Sequence, residues 1–192
     1  DAVIRFLSGG TQANLIVISS LLRVHEAVIS AASGHIATHE SGAIEATGHK
    51  VITLESPVGK LTPEEIRECL EEHRTYKPHT VKPRMVYISQ ATELGTIYTR
   101  AELEELSACC RSQGLYLFMD GARLGQALTA ENNDLSLPEI SRLTDVFYIG
   151  GTKNGALLGE AVVFNRAELA EDFDYAMKQK GAMLAKGRLL GI

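Results

Sequence analysis

Three short segments of this 192-residue sequence combine side chains and glycines in ways that could do chemistry. Gly9-Gly10-Thr11 separates an extended apolar run from a helical pattern. Free N–H groups at the helix start and the Thr11 hydroxyl could hold a phosphate there. The same residues also read as a tight strand-to-helix turn with Thr11 as its cap. They lack both the G-x-G-x-x-G spacing of a dinucleotide loop and the lysine of a Walker motif. Asp120 closes the apolar run Leu115–Met119, where a carboxylate needs a partner. Arg123, three residues on, is one candidate, and a protonated ring nitrogen is another. Lys153 follows the apolar run Val146–Ile149 and stands among Gly150, Gly151 and Gly155. One reading is a solvated surface charge. The other is an amine that a ligand approaches closely, with burial favouring the free form that attacks carbonyls.

These residues need elements to bring them together, and the pattern supplies them. Extended apolar runs at Val3–Leu7, Ala27–Ser30, Lys50–Leu54, Arg84–Ser89, Leu115–Asp120, Asp145–Ile149 and Ala161–Phe164 read as strands. Helical spacing links most of them: Ala13, Ile16, Val17 and Leu21 in the first case, Ile66 and Leu70 in a later one. Three helix starts carry capping-box sequences, at Thr62-Pro63-Glu64-Glu65, Thr99-Arg100-Ala101-Glu102 and Ser136-Leu137-Pro138-Glu139. Gly114 stops the second of these helices. The pattern also predicts helix over Glu40–Thr47 and a long helix from Arg166 onward. Strands alternating with helices predict an α/β fold with a mostly parallel sheet flanked by helices. In such a sheet ligands bind beyond the carboxyl ends of the strands. Asp120 and Lys153 are then one strand–helix–strand crossover apart, in neighbouring loops on one edge. A phosphate turn, an acidic partner for a ring nitrogen and a Schiff-base lysine together match the requirements of pyridoxal 5'-phosphate.

The order of motifs then resembles a known family. Ser8-Gly9-Gly10-Thr11-Gln12-Ala13-Asn14, His35, Thr92-Glu93-Leu94-Gly95-Thr96, Asp120-Gly121-Ala122-Arg123 and Thr152-Lys153 are similar to the series found in threonine aldolases, within the β-eliminating lyase group. The resemblance covers nearly the whole chain, and Asp-Gly-Ala-Arg followed by the lysine is its most specific part. It implies the large domain of the fold-type-I (aspartate aminotransferase-like) pyridoxal-phosphate enzymes over residues 1–192. By the same resemblance Lys153 holds the cofactor as a Schiff base and Asp120 pairs with its ring nitrogen. His35 stacks on the ring and assists proton transfer, and Gly10 and Thr11 bind the phosphate. Arg123 binds the substrate carboxylate, and His39 lines the same pocket if its stretch is helical. His25, His49, His73 and His79 are left as surface residues. The implied reaction is cleavage of a β-hydroxy-α-amino acid such as threonine to glycine and an aldehyde. Two alternatives stay open: a related lyase acting on another β-substituted amino acid, and a catalytically incompetent fragment of such an enzyme. Many threonine aldolases carry Asn-Thr-His where this chain reads Gln90-Ala91-Thr92, which leaves the base for the β-hydroxyl unassigned. The resemblance also implies a homodimer or homotetramer for the complete enzyme.

Composition narrows the rest. With 19 Lys+Arg against 24 Asp+Glu, the charge of −5 gives no electrostatic case for nucleic acid or an anionic membrane. No run approaches the roughly 20 apolar residues of a membrane span. The cysteines Cys69, Cys109 and Cys110 are odd in number and form no C-x-x-C pattern, so neither a disulfide framework nor a metal site is expected and a reducing cytosol is the default. The chain opens on Asp1 rather than Met and closes on apolar Leu189–Ile192, without a repeat or linker between. It reads as the middle of a longer enzyme, lacking the family's N-terminal segment and its small C-terminal domain.

Overall fold

The computed structural model describes residues 2–188, so the apolar segment 189–192 lies outside the described residues. Seven strands form one sheet in the order β1-β7-β6-β5-β4-β2-β3. They are β1 (Val3–Leu7), β2 (Glu26–Ala31), β3 (Val51–Leu54), β4 (Lys82–Ser89), β5 (Tyr116–Asp120), β6 (Val146–Gly150) and β7 (Glu160–Phe164). Strands β3, β2, β4, β5 and β6 pair in parallel. Only β7 is reversed: it pairs antiparallel with both β6 and β1, which returns β1 to the common direction. The ends of β1, β2, β4, β5 and β6 therefore open onto a single edge.

Both faces are covered, as the fully buried run of β2 requires. On one face α1 (Gly10–Leu21) and α7 (Phe173–Gln179) bury Ile16, Val17, Phe173 and Met177 against Tyr87, Phe118, Tyr148 and Phe164. On the other, α3 (Pro63–Thr75), α4 (Arg100–Gln113) and α6 (Leu137–Leu143) pack Ile66, Leu103, Leu106 and Ile140 onto Val86, Leu117 and Phe147. Two short helices, α2 (His35–Thr38) and α5 (Leu124–Leu128), sit in the loops at the open edge. The helix starts follow the sequence closely. Thr62 and Thr99 each accept the N–H of the glutamate three residues on, and each glutamate carboxylate accepts in return from the cap N–H. A cap of this kind contributes about 1 kcal/mol. At Ser136 the returning contact, Ser136 N–H to Glu139 Oε2, spans 2.8 Å. Gly114 ends α4 in the left-handed conformation at φ 67°.

The structure corrects three expectations. Residues 40–47 are not a helix: Ser41 and Gly42 take φ of 49° and 75°, which breaks the helical path, and only Glu45–Thr47 close a 3-10 turn. The stretch after Arg166 is not one long helix either, but a 3-10 turn at Ala167–Ala170 followed by α7, after which Gly181 turns away at φ 68°. His49 is buried rather than on the surface, and its Nδ1 donates to the Glu26 carbonyl at 3.2 Å. All three cysteines are buried and free.

Candidate active site

Strand parity builds the floor of the site. Asp120 lies two residues beyond Phe118, so both point to the α1 side of the sheet, where Tyr87 of β4 and Tyr148 of β6 also point. Asp120 is 3% exposed, and four donors converge on it. Tyr148 Oη and the Ala122 N–H donate to Oδ1 at 2.5 and 2.9 Å. Tyr87 Oη and Asn14 Nδ2 donate to Oδ2 at 2.5 and 3.2 Å. Each oxygen thus accepts twice, which fills the lone-pair sites of a carboxylate. Burial first, and the Asp120 charge second, push both tyrosine hydroxyls well above the ordinary value of 10. They remain protonated donors at any physiological pH. Arg123 is not the partner of Asp120. It is half-buried just before α5, and its guanidinium takes no part in the ion pairs of the described residues.

The glycine turn joins this floor directly. Gly9 rather than Thr11 is the residue before α1, and no side chain caps that helix. The first helical bond runs from the Ala13 N–H to the Gly9 carbonyl at 3.0 Å, so the N–H groups of Gly10, Thr11 and Gln12 precede the ladder. A Cβ on Gly10 would stand 3.1 Å from Tyr148 Oη, which ties the turn to the group that holds Asp120. One turn further along α1, Asn14 Nδ2 reaches Glu40 Oε1 at 3.0 Å as well as Asp120. Glu40 Oε1 is 3.8 Å from His35 Nε2, and His35 stacks on His39 with ring centroids 5.3 Å apart and planes at 13°. His35 opens α2 and is half-buried, whereas His39 follows that helix and is exposed. Within this network two buried acceptors, Asn14 Oδ1 and Glu40 Oε2, have no donor.

Lys153 occupies the connection between β6 and β7, with an exposed side chain. The sequence-based alternative of a buried lysine does not hold in this chain. Its loop is nevertheless docked onto the turn after β5. The Lys153 carbonyl accepts from Gln126 Nε2 at 2.7 Å, and Asn154 Nδ2 donates to the Gly150 and Ala122 carbonyls at 2.5 and 3.3 Å. Gly121 and Gly150 let these segments touch. Their Cβ atoms would lie 1.8 Å from the Tyr148 carbonyl oxygen and 2.5 Å from that of Ala122. In the loop after β4, Gln90 is spent internally, bonded to both the N–H and the carbonyl of Tyr98 at 2.8 and 3.1 Å.

Glu160, the first residue of β7, is 4% exposed. Its carboxylate accepts the Gly151 N–H at 2.9 Å and the Thr152 hydroxyl at 3.3 Å. Burial raises its pKa above the ordinary 4.5, and the charge of Asp120 adds to that rise against the lowering by Gly151, Thr152 and Lys153. The folded chain therefore binds this proton more tightly than the unfolded one. The resulting stability is fully present below about pH 4.5 and is lost as pH rises through the folded value. A Glu160→Gln variant is accordingly expected to melt at or above the parent temperature at pH 7, with the difference vanishing toward pH 4. A variant melting lower at pH 7 and equal at pH 4 would reverse the sign.

Asn14, Glu40, Tyr87, Tyr148 and Glu160 escaped the sequence-based selection. The available signal was polar atoms at positions of apolar parity: Asn14 falls among Ala13, Ile16 and Val17, and both tyrosines occupy inward positions of central strands.

The comparisons bear on this geometry. A family model described as beta-eliminating lyase matches residues 1–190. The chain belongs to the beta-eliminating lyase family. Within it, the low specificity L-threonine aldolases of Pseudomonas aeruginosa and of a Pseudomonas species are 40% and 42% identical over 192 residues. Each alignment takes in 99% of this chain and 55% of the relative. A solved structure of Leishmania major threonine aldolase superposes with a TM-score of 0.96 at 54% identity, over 100% of this chain and 55% of that one. This family member thus spans about half the length of the relatives it matches. A Thermus thermophilus aspartate aminotransferase mutant, at 17% identity and a TM-score of 0.67, shares the fold alone. The fold is that of the fold-type-I pyridoxal-phosphate enzymes, as the motif order implied.

Proposed function

We propose that the complete protein is a pyridoxal-phosphate-dependent carbon–carbon lyase of the low-specificity L-threonine aldolase type, and that residues 1–192 are its cofactor-binding large domain. The observation that carries this reading is the continuous network from the glycine turn through Tyr148, Asp120, Asn14 and Glu40 to His35, on the edge that also bears Lys153. Family membership and the threonine aldolase relatives support it.

The residues present fit the cofactor. Among the described residues the N–H groups of Gly10, Thr11 and Gln12 precede the helical ladder and are offered to a phosphate, and Gly10 lets the turn pack against Tyr148. Asp120 offers a buried carboxylate to a ring nitrogen. Because four donors already fill that carboxylate, Asp120 would have to give up one of them to hold a ring nitrogen. The two donorless acceptors, Asn14 Oδ1 and Glu40 Oε2, show that the network has capacity for a further proton-bearing group. Bound there, pyridoxal phosphate would supply an electron sink for the charge left on Cα when the Cα–Cβ bond breaks.

The chain's own groups divide the remaining work. Lys153 supplies the amine that holds the cofactor, on a loop fixed by Gln126 and Asn154. His35 supplies a stacking face and a nitrogen for proton exchange, with the Glu40 carboxylate 3.8 Å from its Nε2. His39 lines the pocket from behind His35. Arg123, which makes no ion pair among the described residues, offers a planar fork to the substrate carboxylate. That contact sets which bond stands perpendicular to the cofactor ring and hence which bond breaks. Exposed apolar side chains at Phe6 (76%) and Leu157 (92%), on β1 and on the lysine loop, support a homodimer or homotetramer that covers them. Three free cysteines support a reducing cytosol, and among the described residues no helix is long and apolar enough to cross a membrane.

The test supplies the complete protein with cofactor and L-threonine and couples any acetaldehyde to NADH oxidation by an alcohol dehydrogenase. Stoichiometric glycine and acetaldehyde are expected. Absence of aldehyde from L-threonine, L-allo-threonine and other β-hydroxy amino acids removes the aldolase reading. Release of ammonia and a keto acid instead favours the related lyase.

A further inference from the structure

The nine residues from Gly151 to Gly159 that join β6 to β7 carry Lys153, and Glu160 stands where they end. In the sheet register Glu160 lies opposite Gly150 of β6 on one side and Leu7 of β1 on the other. A single residue is therefore abreast of both the lysine loop and the strand that leads into the glycine turn. Its side chain folds back over the start of the loop rather than pointing to solvent. Oε2 takes the Gly151 N–H at 2.9 Å and Oε1 takes the Thr152 hydroxyl at 3.3 Å.

We propose that Glu160 is a positioning residue for Lys153, fixing the residues immediately before it through the Gly151 N–H and the Thr152 hydroxyl. The proposal rests on the reading of Lys153 as the cofactor-linking amine. Packing alone does not explain a carboxylate here. The Gly151 N–H already has a backbone partner, the Gly159 carbonyl at 3.0 Å, so the strand connection closes without Glu160. The surrounding cavity of about 720 Å³ is lined mainly by apolar groups such as Leu7, Ile149 and Met177, which would accept an apolar side chain at this position at no desolvation penalty. What the carboxylate adds is a second bond to Gly151 and the only bond from the Thr152 side chain among the described residues, both adjacent to the lysine. The other loop contacts, from Gln126 and Asn154, act on Lys153 itself and on the residue after it. Glu160 thus completes a clamp on both sides of the amine-bearing residue, where a small displacement translates into a misplaced nucleophile.

The experiment compares the complete protein with its Glu160→Ala, Glu160→Gln, Thr152→Val and Lys153→Ala variants. Without cofactor, hydrogen exchange of the 150–156 segment is measured. With pyridoxal phosphate, the rate of borohydride-trappable attachment is followed. In Glu160→Ala, exchange in the segment should quicken and attachment should slow about tenfold, the effect of losing one charge-assisted hydrogen bond. Glu160→Gln keeps an acceptor for Gly151 and a donor for Thr152, so it should restore attachment to within about threefold. Thr152→Val, on the exposed side of the loop, should slow attachment by about threefold and serves if the alanine variant does not fold. Attachment at the parent rate in Glu160→Ala, or in Thr152→Val where the former is unfolded, overturns the proposal. Undiminished attachment in Lys153→Ala overturns the lysine assignment instead, whatever the exchange data show.

Discussion

In a Lys153→Ala variant of the complete protein, stoichiometric trapping of pyridoxal phosphate by borohydride is expected to disappear. In the parent protein the trapped cofactor should be recovered on the peptide containing Lys153. Noncovalent binding should survive, because the glycine turn, Asp120 and His35 are untouched. Turnover of threonine should collapse, because the amine that would hold the cofactor covalently is gone. The effect follows from the loop's construction. Gln126, Asn154 and Glu160 hold its backbone, and the exposed Lys153 side chain is the one amine they present beside the Asp120 turn. Trapping of one cofactor per chain on a different lysine would sink the assignment while leaving the family intact.

A Gly121→Ala substitution should produce the largest loss of stability. The new Cβ would lie 1.8 Å from the Tyr148 carbonyl oxygen and 3.0 Å from its carbon, both backbone atoms of β6. Relief requires moving β6 away from β5 where Phe118 pairs with Val146 and Met119 with Phe147. It would also break the bond from the Gly150 N–H to the Gly121 carbonyl, now 2.9 Å. Overpacking against rigid backbone costs about 3 kcal/mol or more, which in a chain of this size lowers the melting temperature by roughly 6–12 °C. Gly9→Ala is the matched control. No atom lies within 4 Å of its Cβ position and its φ of −173° is ordinary extended backbone, so the change should be confined to alanine's poorer fit at a helix cap, about 0.5–1 kcal/mol. Equal melting of the two variants would show that β5 and β6 part easily.

The legibility of this molecule in its sequence followed the range of each signal. The capping boxes at Thr62 and Thr99, the stop at Gly114 and the seven strands depend on neighbours a few residues away, and each stands where the pattern put it. The helix expected over 40–47 failed because two left-handed residues, Ser41 and Gly42, outweigh local propensity there. The site divided in the same way. Asp120, Lys153 and the glycine turn were visible as motifs at strand ends, whereas three of the four donors to Asp120 come from α1, β4 and β6, far from it in sequence. Arg123 was the nearest cation by count, yet two tyrosines, the Asn14 amide and the Ala122 N–H occupy the carboxylate. Burial of Lys153 was an expectation about surroundings, and no property of its own segment could establish it.

The reversal of β7 has one further consequence, for the order in which the protein is assembled. Among the described strands β1 pairs only with β7, so β1, whose Val3 lies opposite Phe164, is made before the other six and must wait for its partner. At ribosomal speeds of 5–20 residues per second this leaves β1 without its partner for roughly 8–30 s. During that interval Ile4 and Phe6 travel on a nascent chain that lacks the strand flanking β1. The strand that leads into the glycine turn is therefore joined through the sheet to the strand that leads into the Lys153 loop only once β7 is in place. If these are the proposed phosphate and amine sides of the site, cofactor capture is expected late in synthesis.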